Sequence, residues 1–249
     1  VQIARLQLYI KANLYYRNAE IQEINVVSSD FHLPEFDKIE EDYFPNIDKQ
    51  PTKEEFTTEL WNQLTKAHKF GSLIKLQDSM EKFIKESRKT NAIGIWDEVT
   101  NVEEFEEEII DTLKKAIASY SADTFASRFT QQQSINGLTF AEIMLNEYDI
   151  AVANPPYTDS SNYGKELKKY INANYKKPRN FHQNLYASFM KKNADLINDQ
   201  GKIGMIHPLT FMYIKTYQDM REFILDKFHI SILAELGRGG VFHKAEINT

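Results

Sequence analysis

Four consecutive residues, Asn154, Pro155, Pro156 and Tyr157, gather groups that could do chemistry at one point of the chain. The asparagine offers an amide carbonyl that accepts a hydrogen bond, and a proline has a carbonyl but no N–H to donate. Two successive prolines fix φ and stiffen the backbone, which holds these acceptors in place. Tyr157 adds a flat face on which a planar ring can stack. Two acceptors converging beside an aromatic face suit an exocyclic amino group on a planar ring. The alternative is a bare turn, because N-P and P-P are common turn dipeptides. The string is expected by chance on the order of once in a thousand chains of this length. It also follows directly on the apolar run "DIAVA", so a site at a strand end is favoured over a bare turn.

That position depends on the elements around it. After Tyr148 the chain alternates "DIAVA", a helical pattern over "NLYASFMKKNADLIN", "GKIGMIHP", a second helical pattern over "TYQDMREFILDKF", and "ISILAEL". Apolar runs separated by helices predict a parallel α/β sheet, whose ligands bind beyond the carboxyl ends of the strands. Asn154 stands at such an end. Upstream, Ile3, Leu6, Ile10 and Leu14 recur at spacings of three and four, predicting an amphipathic helix already under way at Val1. It has no N-cap and no initiator Met, so the chain is expected to be part of something longer. "INVV" at 24–27 predicts a short strand. Residues 33–147 change in character, with few strand signals and several helical stripes. Thr52 and Glu55 have capping-box spacing ahead of Phe56, Leu60, Leu64 and Ala67. Leu76, Met80 and Phe83 mark a second helix, and Val102, Phe105, Ile109, Leu113, Ala116 and Tyr120 a third; all read as core faces of a helical insertion.

Composition excludes several classes. There are no cysteines, so disulfides, thiolate zinc sites and a cysteine nucleophile are ruled out. The six histidines show no metal-ligand spacing, and no metal is expected. No apolar run reaches the roughly 20 residues of a membrane span, and the start lacks signal-peptide features, which fits a cytoplasmic protein. The net charge of −6 is unevenly spread. Residues 158–192 carry eight Lys or Arg against two acids, Asp159 and Glu166, whereas acids crowd "PEFDKIEEDYF" and "NVEEFEEEIIDT". This basic window reads as a loop, either a simple solvated one or one that meets nucleic-acid phosphate through Lys176, Lys177, Arg179 and His182.

"NPPY" behind an apolar strand resembles motif IV of the S-adenosylmethionine-dependent DNA adenine-N6 methyltransferases. The resemblance extends to "NLYASFMKKNADLINDQGKIGMIHPLTF", similar to the stretch from motif V into motif VI, and to "LGRGGVFHKAEINT", similar to motif VIII. "INVVSSDF" resembles motif III. The PglX-type methyltransferases of BREX phage-defence systems look nearest, with type IIG restriction methylases of similar layout next. The resemblance implies a methyl transfer from S-adenosylmethionine to N6 of an adenine flipped out of double-stranded DNA, since a base buried in a duplex must leave the stack to be reached. By resemblance Asn154 and the Pro155 carbonyl accept from N6, and Tyr157 and Phe242 stack on the two faces of the base. Asp30 and Phe31 would contact the cofactor, and other subunits of a defence system are possible partners.

The implied fold class is α/β: a partial Rossmann-like class I methyltransferase core, mostly parallel sheet, interrupted by a mainly helical insertion. Residues 1–32 and 148–249 would form the core and 33–147 the insertion. The family's Gly-rich cofactor loop is not found before Ile24, so it and the target-recognition domain are expected outside this chain. The turn at 237–240 could instead be a cofactor loop in a permuted motif order, but "VFHKAEINT" does not read as the helix start such a loop needs. The fragment alone is expected to be inactive. Other functions stay open: methylation of RNA or a protein glutamine, or a catalytically silent binding or assembly module.

Overall fold

The computed structural model describes residues 2–16, 21, 24–38, 51–90, 102–119 and 124–236. The chain divides into two compact units, Val1–Asn146 and Glu147–Thr249.

The first unit is helical. It contains α1 (Gln2–Tyr15), α2 (Pro51–Leu64), the short α3 (Ala67–Phe70), α4 (Leu76–Thr90), α5 (Val102–Ser119) and α6 (Phe125–Leu145). Most of the stripe residues expected from periodicity are buried: Phe56, Leu60, Leu64 and Ala67 are fully buried, as are Leu76 and Met80, whereas Phe83, Val102 and Ala116 are only partly covered. Phe56 packs edge-on against Phe105 of α5 at 5.2 Å. Trp61, also fully buried, donates from its indole N–H to the Pro34 carbonyl at 2.8 Å. Thr52 lies inside the first turn of α2, not ahead of it, so it does not stand where a capping box requires. The capping box that does form belongs to α6, where the Thr124 side chain accepts from the Ser127 N–H and Ser127 Oγ accepts from the Thr124 N–H, both at 3.1 Å. Tyr120 lies outside the described residues.

Residues 24–27 are not a strand, contrary to the expectation from "INVV". A strand exists through its ladder, and the described part of this unit offers none to pair with. The segment has no regular secondary structure, and the Val26 carbonyl accepts from Arg5 at 3.4 Å. Helix α1 forms as expected, but its stripe of Ile3, Leu6, Ile10 and Leu14 is exposed.

The second unit holds a parallel pair, β1 (Tyr148–Ala153) and β2 (Ile197–Met205), connected through α7 (Lys165–Tyr175) and α8 (Leu185–Asp195) and followed by α9 (Gln218–Lys227). Ala153 pairs with Met205, and the ladder ends where the Ile206 N–H donates to the Ala153 carbonyl at 3.1 Å. Side chains alternate across the pair: Ala151, Ala153, Ile203 and Met205 are partly covered, while Ile150 and Val152 stand 63% and 78% exposed. Early in β2 the register shifts, and a Cβ on Gly201 would come within 2.6 Å of the Ile197 Cβ.

Two further expectations are corrected here. Residues 230–236 ("ISILAEL") are not a strand; Ile232 and Leu233 are exposed and the segment forms no ladder among the described residues. The basic window is not a loop throughout, because α7 occupies its first half. Leu167, Ile171 and Tyr175 recur every four residues, and burying Ile171 and Tyr175 supports the helix while the lysines face outward. Among the described residues no helix is long and apolar enough to cross a membrane.

Candidate amine-binding site at the end of strand β1

Strand β1 ends at Ala153 and delivers Asn154 beyond the ladder, as its position in the sequence suggests. Asn154 and Pro156 are exposed, Pro155 is buried, and Tyr157 is partly buried. The motif closes on itself, with the Tyr157 hydroxyl donating to Asn154 Oδ1 at 3.0 Å. Burial raises the Tyr157 pKa above its ordinary value, so the phenol is a donor at neutral pH.

The residues just beyond the motif are anchored to the start of α8. The Thr158 carbonyl accepts from the Leu185 N–H at 3.0 Å, and the Ser160 N–H donates to the Gln183 carbonyl at 2.9 Å. The backbones of Asp159 and Asn184 form an isolated antiparallel bridge, and the Asn184 side chain caps α8 by accepting from the Tyr186 N–H at 3.3 Å. Asp159 also accepts from the Ser161 N–H and hydroxyl at 3.0 and 2.9 Å. The motif is therefore tied down on both sides, on one by the sheet and on the other by backbone hydrogen bonds to the start of α8.

Beside this anchor lies a cluster that periodicity did not single out. The fully buried Tyr186 ring stacks on His207 at 5.8 Å and meets Tyr217 at 5.3 Å, and His207 sits edge-on to Phe211 at 4.5 Å. Burial, and then Asp159 and Tyr217, push the Tyr163 pKa up; burial does the same for Tyr186 and Tyr217. His207 is held below its usual value by burial. The available signal was Tyr186 itself, a hydroxyl on the otherwise apolar face of "NLYASFM", and His207 directly after an apolar strand.

The four basic-window residues divide in two. Lys176 and Lys177 are exposed. Arg179 is occupied: it pairs with Asp226 of α9 at 2.7 Å and lies 5.8 Å over the Phe223 ring. Its neighbour Asn180 donates from backbone and side chain to Asp219 at 3.1 and 2.5 Å. His182 shares a 3.1 Å contact with the Gln183 amide, and burial, then the Lys176 charge, lower its pKa, so it is neutral at pH 7.

Asp30 and Phe31 belong to the first unit. Asp30 is exposed, its N–H donating to Ser28 Oγ at 3.1 Å. Phe31 is 1% exposed, edge-on to Phe140 at 5.5 Å, and packs so close to α6 that a Cβ on Gly137 would lie 3.3 Å from its ring. It presents no open face for stacking. Phe242 lies outside the described residues, as does the 237–240 turn. His32 and His68 approach at 4.7 Å, but no group of three or more His, Asp or Glu gathers among the described residues.

Set beside known proteins, residues 1–242 match the Eco57I restriction-modification methylase family. The adenine-specific methyltransferase BrxX of Escherichia coli O9:H4 (strain HS) is 27% identical over 97 residues, 39% of this chain and 8% of its own length. The adenine-specific methyltransferase PglX of Lacticaseibacillus casei (strain Zhang) is 28% identical over 102 residues, 41% of this chain and 8% of its own. The type II restriction enzyme and methyltransferase RM.Eco57I of Escherichia coli is 21% identical over 114 residues, 45% of this chain and 11% of its own. The chain thus spans about a tenth of the length of these relatives. A match that runs from residue 1 to residue 242, nearly the whole chain, places this protein in the Eco57I restriction-modification methylase family.

Proposed function

We propose that this chain carries the base-holding part of a DNA methyltransferase that moves a methyl group from S-adenosylmethionine to N6 of a flipped adenine, in restriction-modification or BREX-type phage defence. The observation that carries the reading is the Asn154, Pro155, Pro156, Tyr157 motif held at the carboxyl end of β1 between a ladder and a backbone bridge to the start of α8. Methyl transfer to an exocyclic amine asks little covalent chemistry of the protein. Asn154 Oδ1 and the Pro155 carbonyl would each accept a hydrogen bond from one N6 proton and so direct the nitrogen lone pair toward the incoming methyl. As the nitrogen took the methyl, the methyl–sulfur bond of the donor would break to leave a neutral thioether. The nitrogen would become cationic, the two hydrogen bonds would strengthen, which is the condition for lowering a barrier, and one N6 proton would then pass to solvent. The ring of Tyr157 would hold the base by stacking.

S-adenosylmethionine supplies the electrophilic methyl. Asp30 has an exposed carboxylate able to accept from hydroxyls, but buried Phe31 does not fit a stacking role, and no step is assigned to either. Lys176 and Lys177 are exposed cations of the motif's own unit, as are the α7 lysines, and would be available to DNA phosphate. A core formed by 1–32 and 148–249 around an inserted 33–147, and a place in the cytoplasm, belong to the same proposal. The test is Asn154→Ala in the full-length protein, with methyl incorporation into DNA as readout. Transfer should fall below detection while the unfolding midpoint stays put; wild-type transfer would refute the role.

A further inference from the structure

An asparagine amide is nearly symmetric in shape and opposite in function at its two ends. A half-turn of the side chain exchanges an acceptor for a donor. An exposed Asn154 would sample both, and with the amide reversed it would oppose donor to donor against a substrate amine. Among the described residues the Tyr157 hydroxyl is the partner that the structure gives the Asn154 side chain, and it donates to Oδ1 at 3.0 Å. The ring that carries this hydroxyl is itself positioned. It is partly buried, Pro155 and Pro156 restrict the intervening backbone, and the Thr158 carbonyl is fixed by the Leu185 N–H at 3.0 Å.

We propose that the Tyr157 hydroxyl is a positioning group that sets which end of the Asn154 amide meets the substrate amine. It uses one lone pair of Oδ1 and leaves the second for the amine. The ring of Tyr157 then serves stacking and its hydroxyl serves orientation, two separable roles on one side chain. The inference rests on the reading of residues 154–157 as the amine-binding site.

The experiment compares Tyr157→Phe, Asn154→Ala, Asn154→Asp and the Tyr157→Phe, Asn154→Asp double variant of the full-length protein, by labelled methyl transfer from S-adenosylmethionine to DNA. Tyr157→Phe keeps the ring and should lower kcat/KM by roughly 2- to 12-fold, the range for one neutral hydrogen bond, with the loss in kcat. A carboxylate has two equivalent acceptors and needs no orienting, so in the Asn154→Asp background Tyr157→Phe should change the rate less than about 2-fold. Unchanged or faster transfer by Tyr157→Phe overturns the proposal, as does an equal loss in both backgrounds or an inactive Asn154→Asp. Wild-type transfer by Asn154→Ala would instead overturn the site itself, so the two failures are told apart.

Discussion

Arg179→Ala separates two uses of one cation. If the guanidinium met a DNA phosphate, its removal would weaken binding and reduce the salt dependence by about 0.9 in slope, the share of one contact to duplex. The structure commits it elsewhere, to Asp226 at 2.7 Å and to the Phe223 ring at 5.8 Å. The ion pair is 35% and 57% exposed, so solvent screening leaves it worth about 0.2–1 kcal/mol. The cation–π contact adds roughly 0.5–1 kcal/mol. Removing both should cost about 1 kcal/mol or slightly more, since Asp226 is left in water and not buried unpaired. For a domain of about 100 residues each kcal/mol lowers the midpoint by roughly 4–8 °C. The assay pairs thermal unfolding with DNA binding across a salt series for Arg179→Ala, Lys176→Ala and Lys177→Ala. The lysine variants should flatten the salt slope with little change in midpoint, and Arg179→Ala should do the reverse. A full unit of slope lost by Arg179→Ala at an unchanged midpoint would refute the reasoning.

Two further predictions concern the frame that carries the site. Gly201→Ala places a Cβ within 2.6 Å of the Ile197 Cβ and 3.0 Å of the Asn198 carbonyl, so β2 must shift at a cost of about 1–3 kcal/mol; an unaltered unfolding midpoint would show that the strand yields freely. His207 has its pKa lowered by burial, so the unfolded chain binds the proton more readily. Its contribution to stability is intact above the unfolded value of about 6.5 and is lost as pH falls below it toward the folded pKa. His207→Gln should therefore show a shallower loss of midpoint as pH falls below about 6.5, and an unchanged acid slope would count against a partly buried neutral ring.

Local pattern was a good guide where an element closes its own hydrogen bonds. The spacing of Phe56, Leu60 and Leu64, of Leu76 and Met80, and of Phe105, Ile109 and Leu113 led to helices whose matching faces are buried. The same logic applied to the basic window would have found α7, because Leu167, Ile171 and Tyr175 carry the period; its charge density drew attention away from it. Strands were a different matter. "DIAVA" and "INVV" look alike, yet only the first has a ladder among the described residues.

By itself the sequence determined the local stiffness of the two prolines, the kinds of acceptor and ring beside them, and the helical faces that must be buried. Each follows from bonds or periodicities within a few residues. Tertiary structure alone decided that β1 pairs in parallel with β2, that Arg179 is tied to Asp226, that Phe31 is packed away, and that Tyr157 holds Asn154 by its acceptor end. Burial depends on partners as far away in sequence as Phe140 is from Phe31, pairing on strands joined through two helices, and the Tyr157 contact on a turn whose two flanks are anchored by Leu185 and Ile206. No run of neighbouring residues encodes those distances, because loop closure lets many chains reach the same contact and packing selects one.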